Sequence, residues 1–98
     1  MAAREVVWTE YALMQRMKIL DYWIERNGST TYAEKLLDGF ESHANRMKRY
    51  LFIGKQTGTE GILVTLFRDY FIYHHVGNNL MHILSNRDNR RNPAKRPF

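Results

Sequence analysis

Hydrophobic residues recur along the chain with two different periods, one typical of helices and one typical of strands. A β-branched and aromatic run at positions 5–8 predicts a first strand. Four apolar residues then recur every three or four positions, which predicts an amphipathic helix that turns this stripe toward the core. Thr9 is placed to cap the helix, and Asn27-Gly28 to end it. The stripe consists of Leu13, Met17, Leu20 and Ile24.

A second apolar stripe predicts a second helix directly after the first. Thr31 and Glu34 have the spacing of a capping box at its start. Gly39 lies within this helix, where glycine lowers helix stability by about 1 kcal/mol relative to alanine. Its presence indicates that another element packs closely against the helix at this point. The short connection makes the two helices an antiparallel hairpin. The stripe is Ala33, Leu36, Leu37, Phe40, Ala44 and Met47, and we also assign Trp8, Met14, Met17, Trp23 and Met81 to the core.

The C-terminal half has the pattern of strands. A loop rich in Gly and Thr at 50–61 precedes three short apolar runs that are joined by turns. The first run is apolar on both faces, which predicts a central or well-covered strand. The three runs are 62–67, 70–76 and 80–85.

Taken in order, the elements predict an α+β fold with the sequence β-α-α-β-β-β. The two-helix hairpin is expected to pack on one face of a mostly antiparallel, twisted sheet. A chain of 98 residues suits one domain. We therefore assign 1–98 to a single domain with a basic tail at 87–98.

The composition narrows the possible chemistry. The chain has no cysteine, which excludes disulfides, thiolate metal sites and a cysteine nucleophile. The first residues lack the apolar segment of a signal peptide, and no apolar run approaches the roughly 18 residues of a membrane span. We expect a cytoplasmic protein without a membrane partner.

Charge is distributed unevenly along the chain. Residues 1–45 carry five basic and seven acidic side chains, whereas residues 46–98 carry ten basic and three acidic ones. A net charge of −2 is thus followed by one of +7. This asymmetry predicts a basic surface that recognises phosphate or carboxylate groups. The alternative is a basic tail that only keeps the protein in solution.

Three segments, in this order, resemble the RelE/ParE family of bacterial toxins. The first is Val7-Trp8-Thr9, leading into a helix with Ile19-Leu20-Asp21-Tyr22-Trp23-Ile24. The second is Tyr70-Phe71-Ile72-Tyr73, similar to the family's Y-x-I-F-Y strand. The third is Asp88-Asn89-Arg90-Arg91-Asn92-Pro93, close to the W-D-N-R-Q-D-P ending of many members. The resemblance runs over nearly the whole chain, from Val6 to Pro93.

This resemblance implies the toxin of a type II toxin–antitoxin pair, of the plasmid-stabilisation type. An acidic antitoxin would cover the basic surface, and toxin and antitoxin would form an oligomer. Two targets are known within the family. RelE-like members enter the ribosomal A site and cut mRNA, whereas ParE-like members poison DNA gyrase.

The residues of RelE-like nucleases are largely missing. RNA cleavage at a 2′-hydroxyl needs a base, an acid and a cation. The resemblance implies lysines on the strand before the last hairpin, an arginine on the next strand, and a C-terminal arginine and tyrosine. Here 62–67 has no lysine, Phe71 stands in place of the arginine, and only Arg90 or Arg91 remains at the C-terminus. This favours a ParE-like toxin that acts by binding. A ribosome-dependent mRNA endonuclease, a nucleic-acid-binding module and a non-toxic member are the alternatives.

Histidines offer another route to a nuclease. If the last turn is a two-residue loop at 78–79, His75 faces His82, and the two imidazoles can act as acid and base near pH 7 beside Arg91. If the register slips by one residue, Tyr73 faces His82 and the pair is lost. Two ordinary strand histidines are the competing interpretation. No third ligand has a suitable spacing, so we predict no metal site, and we expect no cofactor.

The predicted binding residues are basic and aromatic residues of the C-terminal half. Arg90 and Arg91 come first, because they follow a strand and precede Pro93, and arginine can grip a phosphate or carboxylate with two hydrogen bonds. Tyr70 and Tyr73 can stack on bases, although a place in the core is commoner for such residues. The full set is Lys55, Arg68, Tyr70, Tyr73, Arg87, Arg90 and Arg91.

Overall fold

A computed structural model describes residues 5–50 and 53–88. Its elements are β1 (Glu5–Trp8), α1 (Glu10–Asn27), α2 (Thr31–Arg49), β2 (Lys55–Gln56), β3 (Ile62–Phe67), β4 (Tyr70–Val76) and β5 (Leu80–Asp88). The predicted α+β order is confirmed. The structure adds the short strand β2 inside the predicted loop and extends the last strand by three residues beyond its predicted end.

The strands form one sheet in the order β1-β5-β4-β3-β2. β1 runs parallel to β5, and the other neighbours are antiparallel, as the prediction of a mostly antiparallel sheet requires. β3 is not central. β2 pairs only with Leu63 and Val64, and Leu66 is 56% exposed. The prediction that β3 is well covered therefore holds for the half that pairs with β2 and for the side that faces the helices. It does not hold for the other side at Leu66.

Local hydrogen bonding explains where the helices begin and end. The Thr9 hydroxyl accepts a hydrogen bond from the Ala12 backbone N–H at 3.1 Å, and Gly28 ends α1 with a φ of 67°. Both predictions are confirmed. The capping box at Thr31 is wrong: Thr31 is already helical, and Thr30, itself in a helical conformation, precedes it without a side-chain cap. An N-cap needs an extended backbone, which this tight connection does not provide.

Helix α2 packs its predicted stripe into the core. Its buried residues are Ala33, Leu36, Phe40, Ala44 and Met47. All of these except Ala33 form one core cluster with Tyr70, Ile72, Met81 and Ile83 of the sheet. The ring of Phe67 fills the space where a Cβ on Gly39 would lie, which confirms the close packing predicted at this glycine.

Helix α1 turns a different face to the core than its most regular stripe predicts. Ala12 is buried, and Ile19 and Trp23 pack against the core. Leu13 and Met17, which were predicted to lie in the core, are 41% and 65% exposed. The prediction that Met14 lies in the core is also wrong, because its side chain is 48% exposed.

Hydrogen bonds to β5 fix this rotation of α1. The Asn86 side-chain amide donates to the Ala12 carbonyl at 2.9 Å, and the Asn86 backbone N–H donates to the Gln15 side chain at 2.8 Å. The small side chain of Ala12 lets the helix approach the strand closely. The Arg16 guanidinium lies 4.5 Å from the centroid of the Trp8 ring. Leu13 and Met17 of the apolar stripe are consequently turned away from the sheet, whereas Leu20 still packs against the core.

Candidate functional site on the open face of the sheet

The sheet has one face against the helices and one face that neither helix covers. Ile72, Met81 and Ile83 lie in the core, so their strand neighbours point the other way. We call that second surface the open face. Its register partners form three rows across the strands: Val7, His82, His75 and Ile62; Ser85, Tyr73, Val64 and Lys55; and Arg87, Phe71 and Leu66.

Two of the predicted histidines meet on this face. The Gly77 N–H donates to the Leu80 carbonyl at 2.9 Å, and His75 is the register partner of His82. The structure thus has the first of the two registers considered from the sequence. The outer neighbours in this row are apolar, Val7 beside His82 and Ile62 beside His75.

A turn of the chain lies against His75. Gly61 has a φ of 80°, and an added Cβ there would lie 3.0 Å from the His75 Nε2. The Gly61 carbonyl also accepts a hydrogen bond from the Val76 N–H at 3.2 Å. Glycine at this position therefore permits the turn before β3 to pack on the imidazole.

The third histidine of the hairpin, His74, lies on the other side of the sheet. It is fully buried on the helix side, in a polar cluster with His43 of α2 and Thr65 of β3. The His43 Nε2 lies 2.7 Å from the Thr65 hydroxyl. Burial lowers the pKa of His43 below its usual 6.5, and the charges of Arg46 and His74 lower it further. His43 could not be recognised from the sequence, because its partners come from distant strands.

Tyr73 and two cations lie in the other two rows of the open face. Burial raises the pKa of Tyr73, and the charge of Arg87 opposes that shift. Arg87 of β5 is the last residue of one row, and Lys55 of β2 is the last residue of another. The Lys55 side chain is exposed. The predicted binding residues Lys55, Tyr73 and Arg87 therefore share one surface.

Two other predicted binding residues lie away from that surface. Tyr70 is only 3% exposed, and its hydroxyl accepts a hydrogen bond from the Trp23 indole N–H at 2.9 Å. A ring in this place cannot stack on a base. Arg68 lies 5.9 Å from the ring centroid of Tyr32 and 5.6 Å from that of Phe67, on the helix side. Arg90 and Arg91 lie outside the described residues.

The open face also contains residues that the sequence did not single out. Val64, Leu66 and Phe71 form an apolar patch on it, in the two rows that also hold Lys55 and Arg87. The alternation along β3 and β4 was the available signal, because it assigns these side chains to the face opposite the core. A depression of about 400 Å³ beside this face is lined by the turn before β3, and Glu60 is the one titratable residue in its lining.

Two kinds of site are absent from the described part of the chain. Among residues 5–50 and 53–88, no three His, Asp or Glu side chains come together as metal ligands would. Neither α1 nor α2 has both the length and the hydropathy needed to cross a membrane.

No protein-family model matches the sequence, and no curated protein matches it. A solved chain from a chromosomal ParDE toxin–antitoxin system of P. aeruginosa is similar in structure, with a TM-score of 0.76 and 18% sequence identity. The similarity covers 88% of this chain and 96% of that one. The two chains share one fold. The fold implied by the resemblance to RelE/ParE toxins is therefore confirmed, and at this identity the likeness concerns the fold alone.

Proposed function

We propose that this protein is the toxin of a type II toxin–antitoxin pair, that it acts in the cytoplasm by binding its target, and that an acidic antitoxin neutralises it. The fold shared with a chain of a ParDE system supports the class of protein. The composition of the open face supports action by binding, and that single observation carries the proposal. DNA gyrase is the target that the resemblance to ParE-like toxins implies.

The open face has an apolar patch where a nuclease of this type would need charge. β3 contributes Val64 and Leu66, and β4 contributes Phe71, in the two rows that also hold Lys55 and Arg87. An apolar patch next to polar and basic side chains suits a protein–protein interface, whose buried part is apolar and whose rim is polar. Cleavage of RNA instead needs a base, an acid and a cation around the scissile phosphate.

The basic residues at the rim supply the contact with the antitoxin. Lys55 and Arg87 lie on the open face, and Arg90 and Arg91 follow β5 in the sequence. Carboxylates of an acidic segment can form charge-assisted hydrogen bonds with these groups. Exposed pairs of this kind weaken as salt screens them, so antitoxin affinity on this face should fall with ionic strength.

A ribosome-dependent mRNA endonuclease is the second candidate, because His75 is the register partner of His82. One imidazole would take the proton of the 2′-hydroxyl and the other would protonate the leaving oxygen, with Arg91 as the cation. Primer extension on translated mRNA in expressing cells tests this candidate. Cleavage that disappears in a His75→Ala, His82→Ala double variant would support it, and the absence of cleavage by the unaltered protein would exclude it.

Growth of bacteria that express the chain tests the main proposal. The proposal predicts that a small gene adjacent to this one encodes the antitoxin. Growth should stop without the product of that gene and resume with it. Purified protein should inhibit supercoiling by DNA gyrase. Leu66→Asp should weaken both effects, because a carboxylate would enter the apolar patch at an exposed position. Tyr22→Asp, at a similarly exposed position on α1, is the matched control. Equal activity of the two variants would show that the open face is not the binding surface.

A further inference from the structure

All the sulfur of this chain is in methionine, and the fold divides the described methionines into two pairs. The chain has no cysteine and five methionines, of which Met1 lies outside the described residues. Met47 of α2 and Met81 of β5 are fully buried in the shared core. Met14 and Met17 of α1 are 48% and 65% exposed. Among the described residues, the thioethers of this exposed pair are therefore the sulfur atoms that a dissolved oxidant reaches.

The exposure of this pair follows from the way in which α1 packs on the sheet. Asn86 of β5 holds Ala12 and Gln15 by hydrogen bonds of 2.9 Å and 2.8 Å, which fix the side of the helix that meets the sheet. With 3.6 residues per turn, Met14 and Met17 lie on the side opposite Ala12. Because they are three positions apart, the two side chains are neighbours on the helix surface. They form one continuous thioether surface.

An exposed thioether reacts with a hydroperoxide in a two-electron step. The sulfur attacks one peroxide oxygen, the O–O bond breaks, an S–O bond forms, and with hydrogen peroxide the leaving hydroxide takes up a proton to become water. The product, methionine sulfoxide, is polar where the thioether is apolar. Methionine sulfoxide reductases reverse the change with a dithiol as reductant, which becomes a disulfide while the oxygen leaves as water.

Burial decides whether this oxidation is compatible with the folded state. An oxygen added to Met47 or Met81 would enter the packed core, where a polar group without a hydrogen-bond partner is costly. At Met14 and Met17 the added oxygen is in contact with water, which supplies its hydrogen bonds. The exposed pair can therefore change its polarity while the domain stays folded.

We propose that Met14 and Met17 form a reversible oxidation site, at which hydroperoxides convert an apolar surface of α1 into a polar one. The site gives a response to oxidants to a chain that has no thiol. It lies on the solvent side of α1, away from the open face of the sheet, and does not depend on the toxin–antitoxin proposal.

Treatment of the full chain with hydrogen peroxide, followed by peptide mass spectrometry, tests the site. Cleavage after glutamate releases a peptide of residues 11–25 that contains both sulfurs of the pair, and its fragment ions distinguish Met14 from Met17. Each should gain one oxygen at least about tenfold faster than Met47 and Met81, which react only when the fold opens. In guanidinium chloride above the unfolding transition, the four rates should become similar, because the difference comes from burial.

A double variant with Met14→Leu and Met17→Leu is the matched control, because it keeps the apolar surface and removes the sulfur. Oxidation should shorten the retention of the unaltered chain on a hydrophobic-interaction column, and sulfoxide reductases A and B with a dithiol should restore it. The retention of the double variant should not change. The Tm of the oxidised chain should stay within about 4 °C of its starting value, since changes at exposed positions affect stability little.

Three results would overturn the proposal. The first is oxidation of Met14 and Met17 in the folded chain at the rate of Met47 and Met81. The second is unchanged retention of the chain after complete oxidation of the exposed pair, since the surface would then not have changed its polarity. The third is a large fall in Tm on oxidation that the double variant does not show, because the pair would then support the fold. Each result leaves the toxin–antitoxin proposal standing.

Discussion

Gly58 and Gly61 offer a matched test of how the turn before β3 supports the open face. Both have positive φ, 92° at Gly58 and 80° at Gly61. A Cβ on Gly58 would meet nothing within 4 Å, whereas a Cβ on Gly61 would lie 3.0 Å from the His75 Nε2 and 3.1 Å from its Cδ2. Alanine at the two positions therefore creates similar backbone strain, with a contact at one position only.

The expected magnitudes follow from these two contributions. The left-handed conformation costs an L-residue about 1–2 kcal/mol, which applies to both alanine variants. Displacing the His75 ring adds about 1 kcal/mol for Gly61→Ala, at the low end of the range for overpacking. The effect of alanine on the unfolded chain is the same at both positions and cancels in the comparison. For a domain of this size, the difference corresponds to about 4–8 °C in Tm.

Urea unfolding of the two variants, followed by circular dichroism, measures this difference. Gly61→Ala should be less stable than Gly58→Ala by about 1 kcal/mol. In a His75→Ala background the cost of Gly61→Ala should fall to that of Gly58→Ala, because the obstructing ring is gone. Equal costs for the two glycine variants, or no relief in the His75→Ala background, would refute the packing of this turn on His75.

Three further outcomes test the packing around α1 and α2. Thr9→Ala should destabilise the protein by about 1 kcal/mol in urea unfolding, because α1 loses its cap; no change would contradict the capping role. Gly39→Ala should lower Tm although alanine favours a helix by about 1 kcal/mol, because the Phe67 ring occupies the space of the new methyl group; a stabilised variant would contradict that contact. Burial lowers the pKa of His43 in the fold below its usual 6.5, so the unfolded state binds more protons near that pH, and stability should fall as pH decreases below 6.5. This fall, measured as urea midpoints between about pH 8 and about pH 5.5, should be smaller in His43→Gln.

The local features of the fold could be predicted from the sequence because short-range chemistry determines them. Thr9 caps α1, Gly28 ends it, and the stripe of α2 faces the core. Each of these depends on residues that are close together in the chain. For the last hairpin two registers were compatible with the sequence, and the structure has the one in which His75 meets His82. β2 was missed, because two residues on a sheet edge carry no periodic signal of their own.

The tertiary structure alone decided which side of each element became available for function. Both apolar faces of α1 are compatible with the sequence, and the hydrogen bonds of Asn86 to Ala12 and Gln15 select the one that meets the sheet. Strand alternation puts Tyr70 and Tyr73 on opposite faces of β4, but only the packing of the helices decides that Tyr70 is in the core and Tyr73 on the open face. Sequence periodicity determines which residues share a face. Contacts between elements far apart in the chain determine whether that face is buried or left for a partner.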